Sequence, residues 1–387
     1  MMKTLNKCQF NLFLFFFFIF SMVSVPIWNA MGDKVNDLEP GEGRWHAYSV
    51  ALLVLYGFYV LISHFRMKGG AIHRICLLWW MIMVVVVFFN PSGFFDNLKL
   101  FLWPLIFEMA CLSMLCFSGR LYSIKNVFWV IFSWGTFLFL TSEGRFHFVW
   151  ANAVFTPLLT APVLMLGINR KYQLLVLIVM TLLVLVSMKR SSMLIIAASW
   201  LVYGLPLLKI RNKIVSGILF GGLFLLGLVI FDKMNNALGG KIEERINREE
   251  TDTGRNRLAI WGVTWMMIEQ SSIKEYIVGH GHFGVRRDSI LEISAHNDFL
   301  EVIYDYGVIA FILYIGLWYY VLNRWWYLRK TDSPMFFPYS ISVVIFVFMS
   351  LVSHLILYTA YFNFLVMFWG ICEGVIINNK RTISKKE

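Results

Sequence analysis

Along most of this chain, apolar runs of about twenty residues alternate with short polar interruptions rich in lysine and arginine. As a helix, a run of that length spans roughly 30 Å of hydrocarbon, so each is read as a membrane-spanning helix. Twelve segments are predicted, near 10–30, 46–63, 75–90, 98–117, 127–142, 149–167, 172–188, 192–208, 214–231, 299–322, 336–353 and 357–378. Membrane barrels would instead show short segments of alternating polarity, which are absent here. The predicted fold is all-α: a polytopic membrane helix bundle of about 12 transmembrane helices with one long extracytoplasmic loop. The run from Phe10 to Trp28, flanked by Lys3 and Lys7, is too long for a signal peptide and is read as the first retained span.

Composition agrees. Hydrophobic residues make up 59% of the 387 positions and charged residues only 15%. A soluble domain carries roughly a quarter charged residues, so a water-soluble reading is excluded. The five cysteines (Cys8, Cys76, Cys111, Cys116, Cys372) lie in or beside apolar runs and suggest neither a disulfide framework nor a zinc site. A net charge of +11 raises the question of nucleic acid. Placement answers it: with the N-terminus inside, 19 of the 34 Lys and Arg fall in inside loops, against only Asp332 and Glu387 as acids. That is the positive-inside pattern, so both termini are expected in the cytoplasm and no nucleic-acid partner is expected.

One segment breaks the rhythm. From Asp232 to Ala295 the chain is polar and faces outward, too long for a plain linker. The expected organisation is residues 1–231 as nine spans, 232–296 as an extracytoplasmic loop with an amphipathic helix, and 297–387 as three spans and a cytoplasmic tail. Within the loop, Leu258, Trp261, Trp265 and Ile268 recur at helical spacing, a stripe suited to the membrane surface.

The candidate chemistry lies between the seventh and tenth predicted spans. Lys189 and Arg190 occupy an outward turn, SMKRSSML, where cations are unexpected. They either snorkel to lipid phosphates or bind an anionic ligand, helped by the two serines and the next helix N-terminus. Arg255 and Arg257, in TGRNRLAIWG, read as a solvated charge run or as forks for a diphosphate. In VGHGHFGVRRD, Gly279, Gly281 and Gly284 form either a plain turn or a backbone cradle for phosphate oxygens, with Arg287 beside them. His280 and His282 lack a third ligand at metal spacing, so no metal is expected. His296 stands where the loop re-enters the bilayer, as a structural hydrogen-bonder or a base. Asp298, Glu301 and Asp305 follow on one helix face, which must meet a cavity or a partner.

In this order, the basic turn, an arginine four residues before Trp261, the Gly-x-Gly turn, and His296-Asn297 followed by Gly307 resemble the O-antigen ligase and polymerase superfamily. These are membrane glycosyltransferases that act on undecaprenyl-diphosphate-linked glycans, and the likeness covers roughly Met188 to Phe311. It implies a fold like the C-type glycosyltransferases, with Arg190, Arg257 and His296 as catalytic residues. Arg255, Lys189, Asn297, Gly279, Gly281 and Arg287 join them as diphosphate- or glycan-binding candidates. Two positions depart from the pattern: Asn256 where glycine is common, which makes Arg255 an alternative to Arg257, and Ala310 where ligases usually have Gly, Thr or Tyr.

What the resemblance implies is transfer of a lipid-linked glycan to an acceptor sugar hydroxyl, with the arginines stabilising the departing diphosphate and His296 taking the proton. Asn297 or a nearby acid would orient the imidazole. With no outward Asp-x-Asp, the reaction is expected to be metal-independent and inverting, with no cofactor. The expected protein is an O-antigen polymerase of the bacterial inner membrane, acting in lipopolysaccharide biosynthesis with its active site outside the cytoplasm. Its partners are the lipid-linked oligosaccharide, an acceptor glycan and a chain-length regulator protein. A ligase that uses lipid A core is the alternative. A transporter or flippase is a minor one, since transporters gather their charges near the midplane rather than at one face.

Overall fold

A computed structural model describes residues 7–31, 42–64, 72–90, 98–116, 120–141, 154–187, 189–204, 254–291, 293–353 and 355–383. Among these, every regular element is helical. They are α1 (Lys7–Met31), α2 (Glu42–His64), α3 (Ile72–Phe89), a 3-10 turn (Lys99–Phe101) entering α4 (Leu102–Cys116), α5 (Arg120–Thr141), α6 (Phe155–Met165), α7 (Arg170–Ser187) and α8 (Arg190–Gly204). After them come α9 (Gly254–Gln270), α10 (Ile273–Val278), α11 (Gly284–Asp288), α12 (Asp298–Lys330), α13 (Phe336–Val352) and α14 (Thr359–Ile383). Each predicted span except 214–231 coincides with a helix. That segment, and the first part of the polar loop, lie outside the described residues.

Four described stretches are long and apolar enough to cross a membrane: Leu121–Leu140, Arg170–Ser187, Asp298–Lys330 and Thr359–Lys380. Six shorter apolar helices accompany them. Leu55, Ile62 and Phe88 point outward and exposed from α2 and α3, as expected of helices solvated by lipid. The molecule is a polytopic membrane helix bundle.

At the centre lies α14, buried along almost its whole length. Phe364 on α14 meets Phe17 of α1 and Phe128 of α5, with ring centroids 6.1 and 5.8 Å away. On its other side, Gly370 and Gly374 face α4. A Cβ on Gly370 would strike the Phe107 carbonyl oxygen, and one on Gly374 would lie 2.6 Å from that of Cys111. This small-xxx-small pair lets two backbones touch, which is how helices associate where lipid removes the hydrophobic drive.

Predicted span 149–167 becomes the fully buried α6. At about 1.5 Å per residue its eleven residues fall short of the bilayer. Its orphan C-terminal carbonyls are met by side chains: Gln173 Nε2 donates to Met165 O at 3.1 Å and Lys125 Nζ to Leu166 O at 2.7 Å. Arg324, expected in a loop, lies inside α12, which extends to Lys330. There it forms an ion pair with the buried Glu373 of α14 at 2.8 Å, and Tyr320 donates a further hydrogen bond to that carboxylate.

Of the surface stripe expected on α9, only Ile268 is buried within the protein. Ile260, Thr264 and Ile268 are buried, whereas Leu258 and Trp265 are exposed and Trp261 is half-buried. The buried residues recur every four positions and pack with Val285, Ala295 and Tyr304, so α9 leans on α12. Tryptophan has an N–H that must find a partner, which disfavours the dry face. Trp265 stays outside and donates to Glu269 at 2.6 Å.

Candidate active site

The N-terminus of α12 organises the site. Asn297 caps the helix, its Oδ1 accepting from Phe299 N and Leu300 N at 3.0 and 3.3 Å. Asp298, Glu301 and Asp305 line the inward face, all fully buried. Each accepts from a backbone amide of a different segment. Asp298 Oδ1 takes Leu355 N at 2.8 Å, Glu301 Oε1 takes His296 N at 3.1 Å, and Asp305 Oδ1 takes Val285 N at 2.9 Å. Acids in an apolar span need partners, and here the partners are backbone amides of neighbouring segments.

One turn further on, α12 kinks at Gly307, where φ is 80°. The kink disrupts the helical hydrogen-bond ladder and frees the preceding carbonyls. The glycine-rich loop takes them up: His280 N donates to Tyr304 O at 3.0 Å and Gly281 N to Asp305 O at 2.8 Å. Gly279 N is likewise bonded to Glu275 O, and Asn90 Nδ2 donates to Gly279 O. The amides of Gly279 and Gly281 are thus committed to protein carbonyls. His280 stacks on Tyr304 with ring centroids 3.9 Å apart, and His282 Nδ1 lies 2.7 Å from Tyr306 Oη. Arg287 binds Asp288 through two nitrogens and donates to His280 O at 2.8 Å.

His296 has a positive φ of 54° immediately before the cap. Trp261 Nε1 donates to Ala295 O at 2.8 Å and so docks α9 against the residue next to it. Burial, then the positive fields of Arg257 and Lys189, lower the imidazole pKa to about 4. Lys189, on the α7–α8 turn, has its ammonium 5.1 Å from the centre of the Phe155 ring. A half-buried imidazole therefore lies in the positive field of two cations from segments far apart in sequence. Arg190 opens α8 and Arg255 lies in the first turn of α9; their side chains are outside the described residues. No group of three possible metal ligands occurs among the described residues.

Residues 175–315, which include Lys189, Arg257 and His296, match the family model described as O-antigen ligase. That segment is similar to the O-antigen ligase family. No curated protein sequence matches it at a significant level.

Of the expected site residues, Lys189 and Arg257 both act electrostatically on His296, and Trp261 and Asn297 hold the segments that bear two of the three. Asn297 directs Nδ2 to Leu351 O at 3.3 Å as well as capping α12. The sequence places the three acids on one face but carries no sign of which segment each holds. Their three- and four-residue spacing signals the shared face; nothing local signals the partner.

Proposed function

We propose that this protein is a membrane glycosyltransferase that transfers a glycan from undecaprenyl diphosphate to an acceptor sugar hydroxyl, as a polymerase of O-antigen or a related surface polysaccharide. The observation that carries the reading is a half-buried, neutral imidazole that lies in the positive fields of two cationic side chains, Arg257 and Lys189. A diphosphate leaving group needs cations, and an attacking hydroxyl needs a proton acceptor. As the acceptor oxygen bonds to the anomeric carbon, the bond from that carbon to phosphate oxygen breaks. The electron pair leaves with the diphosphate, whose charge Arg257 and Lys189 offset; Arg190 and Arg255 are assigned the same role on their place in the sequence. The hydroxyl proton passes to His296. A single displacement inverts the anomeric centre, and no step needs a metal or cofactor.

In this reading, loop 232–296 and the site face outward from a bacterial inner membrane, both termini are cytoplasmic, and a chain-length regulator is an additional partner. Cysteine labelling places Glu250 outside and Lys213 inside if the reading holds. A cytoplasmic Glu250 sinks it, since the glycan is presented outside.

A ligase is the second reading, favoured by the description of the matching family model. The glycan profile of a deletion strain separates the two. Single repeat units left on lipid A core mean polymerase; polymer accumulating on undecaprenyl diphosphate over bare core means ligase. An unchanged profile overturns both.

A further inference from the structure

Glu301 stands one step outside the usual capping arrangement. In a capping box, the acid three residues into the helix reaches back to the cap residue's own amide. Here the cap is Asn297, the third helical position is Leu300, and the carboxylate comes from the fourth, Glu301. It bypasses the cap and accepts from His296 N at 3.1 Å. Asn297 already serves the amides of Phe299 and Leu300 through its side chain, and that of Glu301 through its carbonyl. The helix therefore does not need this acid as a cap.

What the contact does hold is the backbone of His296. A non-glycine residue at φ 54° occupies a sparsely populated, strained region and remains there only if its surroundings enforce it. Three contacts do so. Glu301 fixes the His296 amide, Trp261 fixes the carbonyl of Ala295 at 2.8 Å, and Asn297 anchors the following residue through Leu351 O at 3.3 Å. Of the three, only Glu301 bonds His296 itself, and it is a fully buried acid in an apolar helix. Such burial is costly and calls for a compensating role.

We propose that Glu301 is a positioning residue: its carboxylate oxygen holds the His296 amide in the left-handed conformation that sets the direction of the imidazole. The proposal rests on the reading of His296 as the base. It makes reach matter and charge irrelevant. Glu301→Gln keeps an oxygen at the same distance; Glu301→Asp keeps the charge but withdraws the oxygen by one methylene.

The test measures kcat and donor KM on purified full-length protein with a lipid-diphosphate-linked glycan and its acceptor. Misplacing a catalytic group by about 1 Å costs about 100-fold, so kcat of Glu301→Asp should fall about 10- to 100-fold with donor KM unchanged. Glu301→Gln should stay near wild type. If Glu301→Asp fails to insert, Glu301→Met takes its place, filling the volume without an oxygen, and the same loss is expected. Retained activity in Glu301→Asp overturns the proposal, as does loss in Glu301→Gln with normal insertion. His296→Ala is the control. If it is inactive while Glu301→Asp is fully active, only this proposal fails; if it is active, the reading of His296 as base has failed first.

Discussion

Gly279 and Gly307 lie backbone against backbone: a Cβ on Gly307 would sit 2.8 Å from the Gly279 nitrogen, and both residues hold positive φ, 80° and 82°. A Cβ on Gly279 would in turn lie 2.5 Å from the Asp305 carbonyl carbon. This contact seats the glycine-rich loop in the α12 kink and lets His280 N and Gly281 N reach the Tyr304 and Asp305 carbonyls.

Gly307→Ala should therefore be severely damaging. A side chain at positive φ costs about 1–3 kcal/mol before any clash is counted. Thermal unfolding in detergent should shift down, with less folded protein recovered. A Gly307→Ala protein as stable as wild type would mean that loop and kink are not packed in this way.

His296 should differ sharply from its neighbours. Losing a general base costs about 10² to 10⁴ in rate, so His296→Ala should abolish polymer formation while donor binding survives. His280→Ala and His282→Ala remove a stacking partner and a buried hydrogen bond, and should lower stability more than the rate per folded molecule. Arg257→Lys keeps the charge but loses the fork, and should reduce long glycan strongly. Turnover assays normalised to folded protein check all four.

The pH dependence follows from the lowered pKa of His296. A base held down to about 4 is deprotonated above that pH, so kcat/KM should fall only as pH drops through about 4. Bound diphosphate offsets the fields of Arg257 and Lys189, so the acid limb of kcat should move up toward the ordinary histidine value of 6.5. Paired pH profiles of kcat and kcat/KM test this. An acid limb that survives in His296→Gln belongs to another group.

The contact between α14 and α4 gives a stability test away from the site. Gly370→Leu must separate two touching backbones, and overpacking costs about 1–3 kcal/mol or more. Insertion yield and melting temperature should both fall. Gly316→Leu on α12 has nothing within 4 Å and should be silent.

The local pattern determined most of the bundle. Apolar run length set the span positions, because a helix must cross a fixed thickness of hydrocarbon with its backbone bonded internally. Helical spacing alone put Asp298, Glu301 and Asp305 on one face, and their burial follows from acids avoiding lipid. The motif order singled out His296, Arg257 and the Lys189 turn. Tertiary structure decided the rest. The buried face of α9 turned out to be Ile260, Thr264 and Ile268, because α12 and the loop chose which side to cover. His280 and Gly281 spend their amides on carbonyls released at Gly307, a kink that no neighbouring residue announces. Glu301 reached for His296, and Trp261 for Ala295. Periodicity follows from the geometry of one helix and is written along it. The partner of a buried hydrogen-bonding group is decided by which distant segment arrives beside it, and that depends on packing across the whole bundle.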